Sequence, residues 1–240
     1  MDLQRKHMTA AEAEAAQIDV GLRNYMLGVY NHMTIGLALT GFFALGTKML
    51  AMSSPAFAQL IFASPLKWVI MLAPLGMVFF LAARVQSMSA SAARTTFFVY
   101  AGVMGLSLAS IFFVFTGESI VRVFFITAAA FAGLSLYGYT TKKSLSGMGS
   151  FLFMGLIGIL IASVVNIFMA STMLQFMISV GGVLVFAGLT AYDTQNIKNM
   201  YMESDDHEVA TKKSVMGALQ LYLDFINMFL FMLQLFGNRE

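Results

Sequence analysis

The chain has 240 residues, 59% of them hydrophobic and only 11% charged, with a net charge of +2 and no cysteine. A soluble domain carries about 25% charged residues, so this composition belongs to a chain that lives in a bilayer. Disulfides, thiol chemistry and cysteine-based metal sites are excluded, and a small net charge without a basic run argues against a nucleic-acid partner.

Residues 1–24 are polar and alanine-rich, with Asp2, Arg5, Lys6, His7, Glu12, Glu14, Asp19 and Arg23. The apolar run that follows starts too late for a signal peptide, so these residues are expected to form a solvated cytoplasmic arm. Residues 25–240 are expected to form one transmembrane domain. A span needs about 20 mostly apolar residues, and seven stretches qualify: 27–48, 67–86, 94–115, 119–140, 149–170, 173–196 and 214–236. Pro74 inside the second is expected to bend it. The pairs Ala101 with Gly105 and Gly158 with Ala162 have the small-residue spacing that lets helices approach in lipid. The connector at 198–212 collects Glu203, Asp205, Asp206, His207 and Glu208, but without the fixed spacing of a calcium loop, and reads as solvated.

Orientation follows from the basic residues of the short loops. Arg5, Lys6, Arg23, Arg84, Arg94, Lys142, Lys143, Lys198, Lys212 and Lys213 fall on one side. Lys48, Lys67, Arg122 and Arg239 fall on the other. This predicts a cytoplasmic N-terminus and, with seven spans, a C-terminus across the membrane.

The last quarter carries the chemistry. Span six holds Asp193 and span seven holds Asp224. A carboxylate at the centre of a membrane helix costs about 2.5–3.5 kcal/mol on insertion scales and normally faces the bundle interior. Around Asp224, the residues Gly217, Gln220, Asn227, Phe231 and Gln234 complete a stripe of steps of three and four, which is one helix face. Gln220 and Asn227, with Tyr192 beside Asp193, are the supporting polar groups; alone, such amides would also serve as an interhelical hydrogen-bond seam. Arg84 ends span two at the inner interface, where it either snorkels to headgroups or reaches a carboxylate at the same depth. None of the three histidines (His7, His32, His207) is paired at metal-ligand spacing.

At YDTQNIK (192–198) and LYLDFINMFL (221–230) the chain strongly resembles the Bax inhibitor-1 family, also called the transmembrane Bax-inhibitor-motif family. SLYGYTTKKSLSG (135–147) and LFGN (235–238) look like its bacterial inner-membrane branch, which implies a multi-pass protein of that membrane with a periplasmic C-terminus. The resemblance implies an all-α fold with six helices around a central seventh. It implies that Asp193 and Asp224 share a proton as the pH sensor of a calcium leak, latched by an arginine of the second span, which here is Arg84. Some members carry an acid midway along that span; here the region reads MLAPLGMVFF (71–80) and has none. Some bacterial relatives instead modulate a membrane-bound protease.

The expectation is therefore a non-enzymatic, pH-gated cation leak without a cofactor. Ca²⁺ is its permeant ion and rests transiently on Asp193 and Asp224, because two carboxylates offer oxygen ligands but too few for tight storage. The alternatives are a regulator of a membrane protease, without transport, and an intramembrane aspartyl protease. The last also needs two aspartates on adjacent helices, but Leu221, Tyr222 and Leu223 precede Asp224 where a substrate backbone would need glycine. A depth problem accompanies the pairing, because hydropathy puts Asp224 deeper than Asp193. Span six is expected to stay helical towards Met200, and span seven to begin late, near Gly217, with Lys212 and Lys213 in the connector.

Overall fold

The computed structural model describes residues 10–239, with side chains from Val20 onward. Residues 1–9 of the expected arm, with Asp2, Arg5, Lys6 and His7, lie outside it. Among the described residues there is no strand, and seven helices are long and apolar enough to cross a membrane. These are α1 (Ala10–Ser53), α3 (Leu66–Arg84), α4 (Ala90–Leu108), α5 (Gly117–Thr140), α6 (Ser146–Met169), α7 (Thr172–Asn199) and α8 (His207–Phe236). The four-residue helix α2 (Pro55–Ala58) and a wide turn at Gln59–Ala63 join α1 to α3.

Helix starts follow from side chains that accept orphaned backbone N–H groups. Ser89 accepts from Ala92, Thr116 from Ser119, Ser171 from Leu174 and Asp206 from Val209. The α6–α7 reversal is tight because Ala170 adopts the left-handed conformation at φ 49°, with the Asn166 Oδ1 accepting the Ser171 N–H at 3.0 Å.

α8 is the most buried of the spanning helices. Of its most apolar window 67% is buried, against 33% or less in every other span. It packs on α7, α1, α5 and α4; α3 meets mainly α4, and α6 mainly α7. Tyr222 of α8 is fully buried, edge-on to both Phe97 and Tyr100 of α4. Its hydroxyl meets Thr40 Oγ1 of α1 at 2.6 Å, which satisfies a polar group that lipid could not. At the opposite end of α8 the chain is clasped to α5. Thr116 N–H donates to the Asn238 carbonyl, and Asn238 N–H donates to Ser119 Oγ.

Two expectations about depth part company. Span six does remain helical to Asn199, with Met200 closing it. Span seven does not begin near Gly217: α8 starts at His207, ten residues earlier, and Lys212 and Lys213 lie on the helix. The reason is local. Asp206 supplies a cap, Glu208 is an acid in the first turn, and Glu208 and Lys212 pair one turn apart at 3.4 Å. Lys213 also binds Asp205 at 2.6 Å and the Met200 carbonyl at 3.1 Å, which ties the connector to both helices.

Candidate functional site

The motif YDTQNIK divides its polar side chains between two tasks. Thr194, Gln195 and Lys198 turn towards α5 and the α5–α6 connector. Thr194 Oγ1 meets Ser135 Oγ at 2.9 Å, and Ser135 in turn meets the Tyr30 hydroxyl of α1 at 2.6 Å. Gln195 accepts from the Leu145 N–H and donates to the Lys143 carbonyl, while Lys198 donates to the Tyr139 carbonyl. These bonds fix the rotation of α7. Tyr192 and Asp193 are left facing the other way, into a cavity of about 670 Å³ between α6, α7 and α8.

The stripe of α8 faces the same cavity. Gln220, Asp224, Asn227 and Phe231 all line it, with Ser150 and Ser163 opposite on α6. Asp193 and Asp224 are only 5% and 4% exposed. The two carboxyl groups are neighbours in this cavity, with Gln220 beside them. The Oδ2 of Asp224 is buried with no hydrogen-bond partner. No Lys, Arg or His is among the residues lining this cavity. Two carboxylates side by side, in a low-dielectric site with no cation lining it, repel strongly unless one of them is protonated.

Arg84 is not brought to this pair. It lies exposed at the end of α3, makes no ion pair among the described residues, and does not line the cavity. The cause is the position of α3, which packs on α4, away from α6.

Other lining residues escaped the sequence reading. Phe186 of α7 stacks on Phe231 of α8 with ring centroids 5.9 Å apart, at the far end of the cavity. Ser150 and Ser163 sit in apolar runs of α6, where a lone serine carries no signal. Only the phase of Phe231 in the α8 stripe pointed towards this place. Among the described residues no group of three or more His, Cys, Asp or Glu side chains is placed to hold a metal ion. The cavity offers two carboxyls and several neutral oxygens.

A family model described as "Inhibitor of apoptosis-promoting Bax1" matches residues 22–240. The chain is 46% identical to an Escherichia coli K12 protein named inner membrane protein YbhL, over 92% of this chain and 94% of that one. It is also 46% identical to an uncharacterised protein of Rickettsia prowazekii, over 92% of each chain. A protein of Caulobacter vibrioides is 42% identical over 100% of this chain and 99% of its own length.

Proposed function

This chain belongs to the Bax inhibitor-1 family, and from that premise we propose that it is a pH-gated cation leak, passing Ca²⁺ along the polar stripe of α8. The observation that carries the reading is the meeting of Asp193 and Asp224, from consecutive spanning helices, in one cavity with Gln220 and Asn227. A shared proton keeps the pair neutral enough to stay buried. Losing it leaves two adjacent negative charges, which favours a conformation that separates or hydrates them. The exposed carboxylates then draw a cation from water, and the amide oxygens of Gln220 and Asn227 provide further ligands. No cofactor is involved.

We read the protein as a transporter of ions rather than an enzyme. Leu223, directly before Asp224, puts a branched side chain into the same cavity, where a peptide backbone approaching that carboxyl would need a glycine. The direct test is Ca²⁺ entry into liposomes holding the purified protein, at a series of pH values. Entry that varies with pH supports the proposal. Wild-type liposomes that admit no ion at any pH would sink it, and leave regulation of a membrane protein partner as the remaining role.

Two smaller expectations accompany it. Arg84 stands away from the pair, so Arg84→Ala is expected to leave the midpoint of the pH profile where it is. A shifted midpoint or a raised basal flux would mean that Arg84 does reach the pair in another conformation. On the basic-residue asymmetry we propose a cytoplasmic N-terminus and a periplasmic C-terminus. The chain has no cysteine, so a single Cys added beyond Asn238 reports orientation cleanly. It should react with an impermeant reagent applied outside, and reaction only from the cytoplasmic face would reverse the topology.

A further inference from the structure

The cavity that holds the aspartates is one of two along the α7–α8 seam. The second, about 460 Å³, lies at the Asn238 end of the bundle and is lined by Asn166, Ser171, Gln175, Ser179, Gln234 and Arg239, among others. Its polar groups are already linked. The Gln175 amide reaches Ser179 Oγ and Gln234 Oε1, and Asn166 Nδ2 reaches Gln175 Oε1 at 3.2 Å.

The two cavities follow one another along the same three helices. On α6 the first extends to Ser163 and the second begins at Asn166; on α8 the first extends to Phe231 and the second begins at Gln234. The step between them is three residues on α6 and on α8, about 4.5 Å along the axis, and seven residues on α7, from Phe186 to Ser179, about 10 Å. The stacked rings of Phe186 and Phe231 end the aspartate cavity on this side, and the Phe231 ring packs on Gly182, which lies in the α7 interval between the two cavities. Phe231 lies flat against α7 because position 182 is glycine. A Cβ there would come within 2.5 Å of two Phe231 ring carbons. The ring is thus held between a side chain and a bare backbone, with amide- and hydroxyl-lined space on both sides of it.

We infer that the Phe186–Phe231 stack is the hydrophobic gate of a cation route that runs from the aspartate cavity to the Gln234 cavity between α6, α7 and α8. The inference rests on the leak proposed above and adds its path and its barrier. A constriction of two aromatic rings excludes water, and a metal ion cannot shed its hydration shell without replacement oxygens. Oxygen groups are present on either side of the rings and absent between them. Opening needs only a rotation of the Phe231 ring off Gly182, and α8 carries Asp224 two turns away on the same face as Phe231. A change in the aspartate pair is therefore delivered to the gate along one rigid helix.

Two readouts on the cysteine-free chain test this. The first is labelling by a charged, membrane-impermeant thiol reagent in liposomes, applied to each face in turn. With Phe231 intact, Gln234→Cys should react only from the Asn238 face and Asn227→Cys only from the opposite face. In a Phe231→Ala background, Asn227→Cys should become reactive from the Asn238 face as well, and Phe231→Leu should keep it closed. The second readout is Ca²⁺ entry, which Phe231→Ala should raise severalfold at every pH. Phe186→Ala, judged by the same labelling, serves if Phe231→Ala does not yield folded protein. Asn227→Cys staying closed to the Asn238 face in both alanine variants would overturn the gate. A wild-type protein that passes no Ca²⁺, yet shows the labelling change, would overturn the leak and leave the ring barrier standing.

Discussion

Asp193→Asn and Asp224→Asn are each expected to abolish the pH dependence of Ca²⁺ entry, so that the ratio of flux between acid and neutral conditions approaches one. Asparagine keeps the size and a hydrogen-bonding side chain but cannot share a proton that leaves as pH rises. The carboxyl groups are nearly enclosed and lack a cationic partner in their cavity, so their charge state is the strongest electrostatic variable there. The folded state should survive, because the asparagine amide can donate a hydrogen bond to the remaining carboxylate in place of the shared proton. Unchanged size-exclusion profiles and unchanged or higher melting temperatures would show this. If both variants keep the wild-type pH profile, the pair is not the sensor.

The second large effect concerns assembly. Gly138→Leu in α5 should cost more than about 3 kcal/mol, the upper range for overpacking, and is expected to leave little monodisperse protein. The first added carbon at Gly138 would run into the carbonyl of Ala191 in α7. That is helix backbone and cannot move aside without carrying α7 with it. Ala191 lies two residues before Asp193, so any surviving protein should also show a displaced pH profile. Gly133→Leu is the matched control. It lies on the same helix, where an added Cβ meets nothing within 4 Å, and its melting temperature should stay within the error of wild type. Equal stability of the two variants would mean that the α5–α7 contact is not tight.

Much of this was legible in the sequence, and the parts that were not have a common cause. Seven apolar runs of sufficient length define the spans, because a bilayer leaves the backbone few choices. The three-four spacing from Gly217 to Gln234 identified the face of α8 that meets α7. The start of α8 at His207 was misread because hydropathy reports where lipid ends, whereas Asp206 decides where the helix begins. The stacking of Phe231 on Phe186 was hidden because phenylalanine is common on every face of these helices. Its meaning depends on Gly182 opposite, a relation between residues 49 apart. The place of Arg84 was likewise set by which helix α3 packs against, and no local pattern encodes that.

The burial of α8 has a consequence for biogenesis. The helix on which α1, α4, α5 and α7 pack follows all of them in the chain, so a ribosome delivers the keystone after the arch. During synthesis the earlier spans enter the bilayer with their inward faces, including Phe97, Tyr100 and Thr40, turned towards a partner that does not yet exist. They must wait as a loose set, shielded by lipid or by the insertion machinery, until the two aspartates arrive in turn. Asp224 enters the membrane beside an Asp193 already there. Completion of the bundle and formation of the proposed sensor are then one event.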